Sequence, residues 1–166
     1  EERLARLGGL PQYGLEPSSS GDVLAGLSCG QAAYGVFSDS LSLSWIKALW
    51  EAREELGLEG DGVRFYPEDE GASLVRVSNP FIRVSAYRLA DRLVVVCRNT
   101  SSVEQSFVPE FDFAVLGIER WEVDRLERAA VGALQSEQMC LLGDRIPVEA
   151  GRTLVLNLRW VSRGQN

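Results

Sequence analysis

A chain of 166 residues, 45% hydrophobic and 25% charged, is long enough to close one domain around a real core, with the composition of an ordinary globular protein. Its 17 basic and 24 acidic residues give a formal charge of -7, which argues against nucleic acid and against an anionic membrane surface, since both call for a Lys/Arg face. There is no histidine, so the commonest general base, the usual partner of a Ser or Cys nucleophile and the commonest metal ligand are all missing, and no cofactor is expected.

The opening EERLARLGG lacks the apolar core of a signal peptide, and no apolar run approaches the roughly 20 residues of a membrane span. The chain starts at Glu1 and holds a single methionine, Met139, so it is expected to be a processed product or a piece of something longer. Residues 1–7 read as a short helix ended by Gly8 and Gly9. LPQYGLEPSSSGD, over 10–22, has the Pro, Gly and Ser content of a loop or linker. The glycine-dotted stretch 24–37 carries no decisive period.

The clearest helix is expected over 45–56, with Ser44 as N-cap and Gly57 just past its end. Trp45, Ile46, Leu49, Trp50 and Leu56 read as its apolar stripe, and Trp45 and Trp50 are the candidate docking residues of a domain interface. Beyond it the period changes to two. Short strands are expected over 63–66 and 74–77, with the acidic turn PEDEG at 67–71 between them. In 81–88, Ile82, Val84 and Ala86 point one way and Arg83, Ser85 and Tyr87 the other; a turn at Ala90-Asp91 leads into 93–98, which is apolar on both faces. Further strands are read over 103–108 and 118–123, then a short helix or turn over 124–130. Gly143-Asp144 signals a hairpin between 138–142 and 145–148. The last strand, near 153–160, alternates Leu154, Leu156, Leu158 and Trp160 with Thr153, Val155, Asn157 and Arg159.

Short strands at intervals near ten residues, without regularly interleaved helices, predict a mainly β chain. The expected fold is an antiparallel β-sandwich of about eight strands, preceded by an amphipathic helix and an irregular N-terminal segment. Residues 1–41 are assigned to an N-terminal segment or linker and 42–166 to the helix plus sandwich.

Reactive constellations are sparse. Cys29, Cys97 and Cys140 are far apart and form no C-x-x-C, which speaks against a zinc site or redox pair; Cys97, in an apolar strand, reads as a small buried thiol. Glu68, Asp69 and Glu70 read as a solvated turn. Glu110 and Asp112 are spaced to share a strand face, the minimal resource for a two-carboxylate hydrolase. Trp121, with Tyr87 and Tyr66, would form the aromatic row of a ligand site if all three were exposed. Asn99-Thr100-Ser101 matches the N-glycosylation acceptor pattern.

Several segments, in order, resemble the C-terminal part of large, mostly bacterial glycoside-hydrolase-like proteins, in which a catalytic barrel is followed by a β-sandwich. They are SWIKALWEAREELGL, GVRFYPEDEG, NPFIRVSAYRLADRLVVVCRNTS, FAVLGI and IPVEAGRTLVLNL, together covering about 42–160. The resemblance implies a non-catalytic accessory domain whose partner is the barrel of the same parent or another protein surface, with carbohydrate a further partner. Residues 1–41 match it poorly and are expected to be either the tail of a barrel or a separate linker; the resemblance places the catalytic carboxylates on the barrel, so none is carried onto this chain. The competing readings are a free-standing carbohydrate-binding or protein-interaction module and a self-contained hydrolase using Glu110 and Asp112.

Overall fold

The computed structural model describes residues 22–29 and 40–161. The helix expected over 1–7 and nearly all of the loop after it lie outside the described residues. The first described element is a 3-10 helix, Val23–Cys29, within the stretch that carried no decisive period. The amphipathic helix α1 runs over Ser40–Glu55. It begins a turn before the expected N-cap, because SLSLS contains neither Gly nor Pro to stop it, and Ser44 is an interior position. Its end is as expected. Gly57 takes a left-handed φ of 73°, and the amides of Gly57 and Leu58 return to the carbonyls of Glu54 and Arg53.

Ten strands follow, all paired antiparallel: β1 Arg64–Tyr66, β2 Val75–Arg76, β3 Ile82–Arg88, β4 Arg92–Asn99, β5 Gln105–Phe107, β6 Glu110–Phe111, β7 Val123–Arg128, β8 Gln138–Cys140, β9 Ile146–Val148 and β10 Thr153–Trp160. Six form one sheet in the order β1-β3-β4-β10-β7-β8; β2 pairs with β6 and β5 with β9 as two separate ribbons. The last strand therefore sits in the middle of the main sheet. It is in register with β4 from Thr153 opposite Arg98 to Arg159 opposite Arg92.

Period two explains the two cores. Leu93, Val95 and Cys97 of β4, with Leu154, Leu156 and Leu158 of β10, point to one face. There they meet Phe107, Ile146 and Val148 of one ribbon and Leu74 and Val75 beside the other, which closes the sandwich. The intervening Val94, Val96 and Val155 point to the opposite face and pack with Tyr87 under Leu24 and Leu27 of the 3-10 helix and Leu49, Ala52 and Leu56 of α1. The double-sided apolarity of 93–98 thus reflects a third, helical layer.

Four expectations are corrected. PEDEG is a one-turn helix, α2 (Glu68–Gly71), rather than a turn: Gly71 is buried where a Cβ would come 2.7 Å from the Val84 carbonyl, so only glycine lets α2 lie on β3. The strand expected over 118–123 is mostly a 3-10 turn, Arg120–Glu122, fixed by reciprocal capping between Glu119 and Glu122. The sheet strand falls instead on Val123–Arg128, in place of the helix or turn expected over 124–130. Finally, Gly143-Asp144 does not join a paired hairpin. Leu141 and Asp144 close a turn, but β8 pairs with β7 and β9 with β5, because Ile146 and Val148 belong to the sandwich core while Met139 stays exposed.

Asn99 ends β4 as a buried clamp. Its amide donates to the carbonyls of Val103, Val148 and Glu149 at 2.8, 3.0 and 3.1 Å, and its oxygen accepts from the amide and hydroxyl of Ser101. The nitrogen that a glycan would need is therefore occupied inside the fold. Asn99→Asp places a carboxylate against three carbonyls, and chemical denaturation is expected to show a loss of about 2–4 kcal/mol, at least as large as for Asn99→Ala. Gly71→Ala should cost about 1–3 kcal/mol in the same measurement by pushing α2 off β3; an unchanged midpoint would show that α2 can lift freely.

Candidate functional site

Trp45 and Trp50 stand five residues apart on α1, about 140° around a helix of 3.6 residues per turn, so they cannot share a face. Ile46, Leu49, Ala52 and Leu56 form the buried stripe. Trp45 is half-buried against the helix-side core, and a Cβ on Gly26 would come 3.0 Å from its ring. Trp50 lies off the stripe and is 48% exposed.

The three candidate ligand-binding aromatics are not brought together. Tyr87 is 2% exposed; its hydroxyl donates to the Leu27 carbonyl at 2.7 Å, and its ring centre lies 4.8 Å from that of Phe65. Tyr66 is buried in the sandwich core on the opposite side of the sheet, with the Arg64 guanidinium 4.7 Å from its ring centre. Trp121, in the Arg120–Glu122 turn, is 73% exposed. These are two core residues and one open indole, on three separate surroundings.

The carboxylates do not converge either. Glu68, Asp69 and Glu70 are exposed along α2. Asp112 caps α3 (Phe113–Leu116) by accepting from the Val115 amide at 3.1 Å, and sits 3.6 Å from Arg76. Its spacing from Glu110 thus serves a strand-to-helix junction. Among the described residues no group of three or more His, Cys, Asp or Glu side chains could hold a metal ion. Cys97 is fully buried, and burial pushes its thiol far above the usual range, so it stays protonated and inert. Cys140 is a half-buried free thiol; the side chain of Cys29 lies outside the described set.

One charged group was missed by sequence reasoning. Glu127 of β7 is 1% exposed, on the helix-side face of the sheet, opposite Asn157 of β10. Burial would raise its pKa, but a hydrogen bond from Arg159 (Nε to Oε1, 2.9 Å), one from Asn157 and the nearby charge of Arg125 (3.0 Å) outweigh burial and hold it below the ordinary glutamate value. The available signal was polar Asn157 and Arg159 on one face of a strand that is otherwise apolar, which calls for a partner across the sheet.

The fold and this surface define an antiparallel β-sandwich with a helical cover and, among its described residues, no assembled reactive centre. The model of the family described as "Glycoside hydrolase 123, C-terminal domain" matches residues 46–159, and the chain belongs to that family. The match runs from within α1 through nearly all of β10. No curated protein matches the chain.

Glu127 makes stability depend on acid in a definite direction. A carboxylate whose folded pKa is depressed contributes fully above its unfolded value, about pH 4.3, and loses that contribution as pH falls through the lower folded value. Glu127→Gln is expected to destabilise by about 1–3 kcal/mol at pH 7, leaving Arg125 and Arg159 without their carboxylate. The gap to the parent should narrow in melts recorded below about pH 4; a gap independent of pH would mean that the charge is not what stabilises.

Proposed function

We propose that this chain is a non-catalytic accessory domain that packs on and supports the catalytic barrel of a glycoside-hydrolase-like protein. The family match over residues 46–159 carries the reading, since it makes the domain the C-terminal part of such a protein. Two features of the surface support it. The carboxylates that could have formed a hydrolytic pair are either exposed singly, as Glu110 is, or committed to capping, as Asp112 is. Trp50 leaves a large apolar side chain open on a helix whose other face is buried, an arrangement expected of a helix that meets a second body. Trp121 favours the second reading, a carbohydrate-binding or protein-interaction module, because an indole 73% exposed is a stacking surface. It has no partner row in Tyr66 and Tyr87, both buried, so the accessory role is preferred.

The reading frame upstream of Glu1 is expected to encode a barrel. In the parent protein, Trp50→Glu should expose the barrel-domain junction to limited proteolysis and lower the barrel's melting temperature, while the isolated domain unfolds within about 0.5 kcal/mol of the original. Glu110→Gln should leave glycoside turnover unchanged. A frame without a barrel, or turnover abolished by Glu110→Gln, would sink the proposal.

A further inference from the structure

Among the described residues the six-stranded sheet has two edges, β1 and β8, and the chain treats them differently. An open strand edge presents unpaired N–H and C=O groups, and folds usually blunt it with lysine, proline or a covering segment. The β1 edge is blunted. The Arg64 guanidinium lies 4.7 Å from the Tyr66 ring centre, and beyond Tyr66 the chain turns into α2, which lies against β3 at Val84. The β8 edge has no such guard. From 129 to 144 the sequence holds no lysine, arginine or proline. β8 pairs with β7 alone, Met139 is 60% exposed, and Leu141, just past the strand, is 73% exposed. Alternation sorts the side chains. Cys140 and Leu142 pack on the sandwich core, whereas Met139, opposite Glu127, lies on the other face, and Leu141 follows it there. Two apolar side chains thus stand one strand repeat apart along an open edge.

What covers such an edge is an extended segment, since only that matches its hydrogen-bonding groups. A second copy supplies one. Two antiparallel β8 strands related by a two-fold axis perpendicular to the sheet extend it continuously and close the assembly at a dimer. That axis keeps like faces on the same side, so each side chain opposes one of its own parity. An axis at Cys140 sets Met139 of each copy opposite Leu141 of the other, twice, and Gln138 opposite Leu142. An axis at Met139 would set Glu137 against Leu141 and lose both apolar contacts. An axis at Leu141 would need Gly143 in extended form, whereas Gly143 lies in the turn closed by Leu141 and Asp144. We propose that β8 is the seam of a homodimer, centred on Cys140, in which Met139 and Leu141 of the two copies pack against each other across a continuous sheet. The seam rests on the sheet edge and not on the accessory role.

Sedimentation equilibrium of the whole chain is the test. A strand of three residues makes a small seam of the weak class, so dimer is expected at about 100 μM chain and above. Each copy carries a formal charge of -7, so raising the ionic strength from about 0.05 to about 0.5 M should tighten association. Met139→Lys and Leu141→Glu should each weaken it about tenfold or more, because each puts a charge into an apolar contact twice per dimer. Mixed in equal amounts, the two variants should associate again, since the lysine of one then meets the glutamate of the other. Both side chains are exposed, so the melts should match the original; if a charge lowers the melt, Met139→Ser and Leu141→Ser are read instead and should also weaken association. The proposal is overturned if the chain stays monomeric at about 500 μM. It is overturned equally if a dimer persists undiminished in both single variants, or if their mixture stays monomeric. A chain monomeric alone whose Met139 is shielded from peroxide in the parent protein would put the barrel on this edge, removing the dimer and leaving the accessory role. A dimer in a chain with no barrel upstream would do the opposite.

Discussion

The pairing of β10 with β4 is the constraint on which the rest of the structure depends. These strands are distant in sequence, yet each is the other's neighbour along nearly its whole length. Closing so long a loop is entropically costly before any contact repays it, so the register must be decided by burial on both faces at once. A shift by one residue would turn Leu154, Leu156 and Leu158 toward the helices, and Val155 and Asn157 into the sandwich core. Once the register is set, the chain between the strands has little freedom. The ribbon of β5 and β9 is drawn over one face, and β7 is drawn to the free edge of β10.

Asn99 ties the two ends of that arrangement together. It terminates β4, and its amide grips the carbonyls of Val148 and Glu149 just before the chain enters β10. The same turn takes the Asn99 amide hydrogen to the Arg152 carbonyl and the Gly151 amide hydrogen to the Ser101 carbonyl. One buried side chain thus sets where β4 stops and where β10 begins. The match of Asn99-Thr100-Ser101 to the glycan-acceptor pattern is one that any turn rich in Asn and Ser gives, and its environment makes Asn99 an internal fastener.

Strands with unambiguous alternation, such as 82–88 and 153–160, were legible from the sequence because both local period and burial agree there. The third layer was legible only indirectly, through the two-sided apolarity of 93–98, since no local rule says whether helix or sheet supplies the cover. The segment 118–128 escapes a local reading for a specific reason. Its run D-R-L-E-R is mostly charged, and beside Leu126 the other buried member is Glu127, which hydropathy counts as a surface residue. Its partners Arg159 and Asn157 lie on another strand, so the evidence for its burial is non-local. The same holds for pairing: Gly143-Asp144 makes a genuine local turn, but partner choice follows the core that each strand fills. The candidate aromatic row failed to assemble because period two sends Tyr66 and Tyr87 to opposite faces of one sheet, and both faces are covered.

The placement of polar groups separates what holds the fold from what is left for other work. Glu127, Asn99 and Tyr87 have their hydrogen-bonding capacity turned inward, against Arg159, backbone carbonyls and Leu27. Asp112 is likewise spent on a cap and on Arg76. Glu127 is held in its charged form, since Arg159, Asn157 and Arg125 outweigh the effect of its burial. A hydrolytic centre needs the reverse, one carboxyl kept protonated in an apolar setting beside another kept ionised. Among the described residues Glu127, the buried acid with a lowered pKa, is thus spent on holding the sheet, while the apolar surface left open includes Trp50.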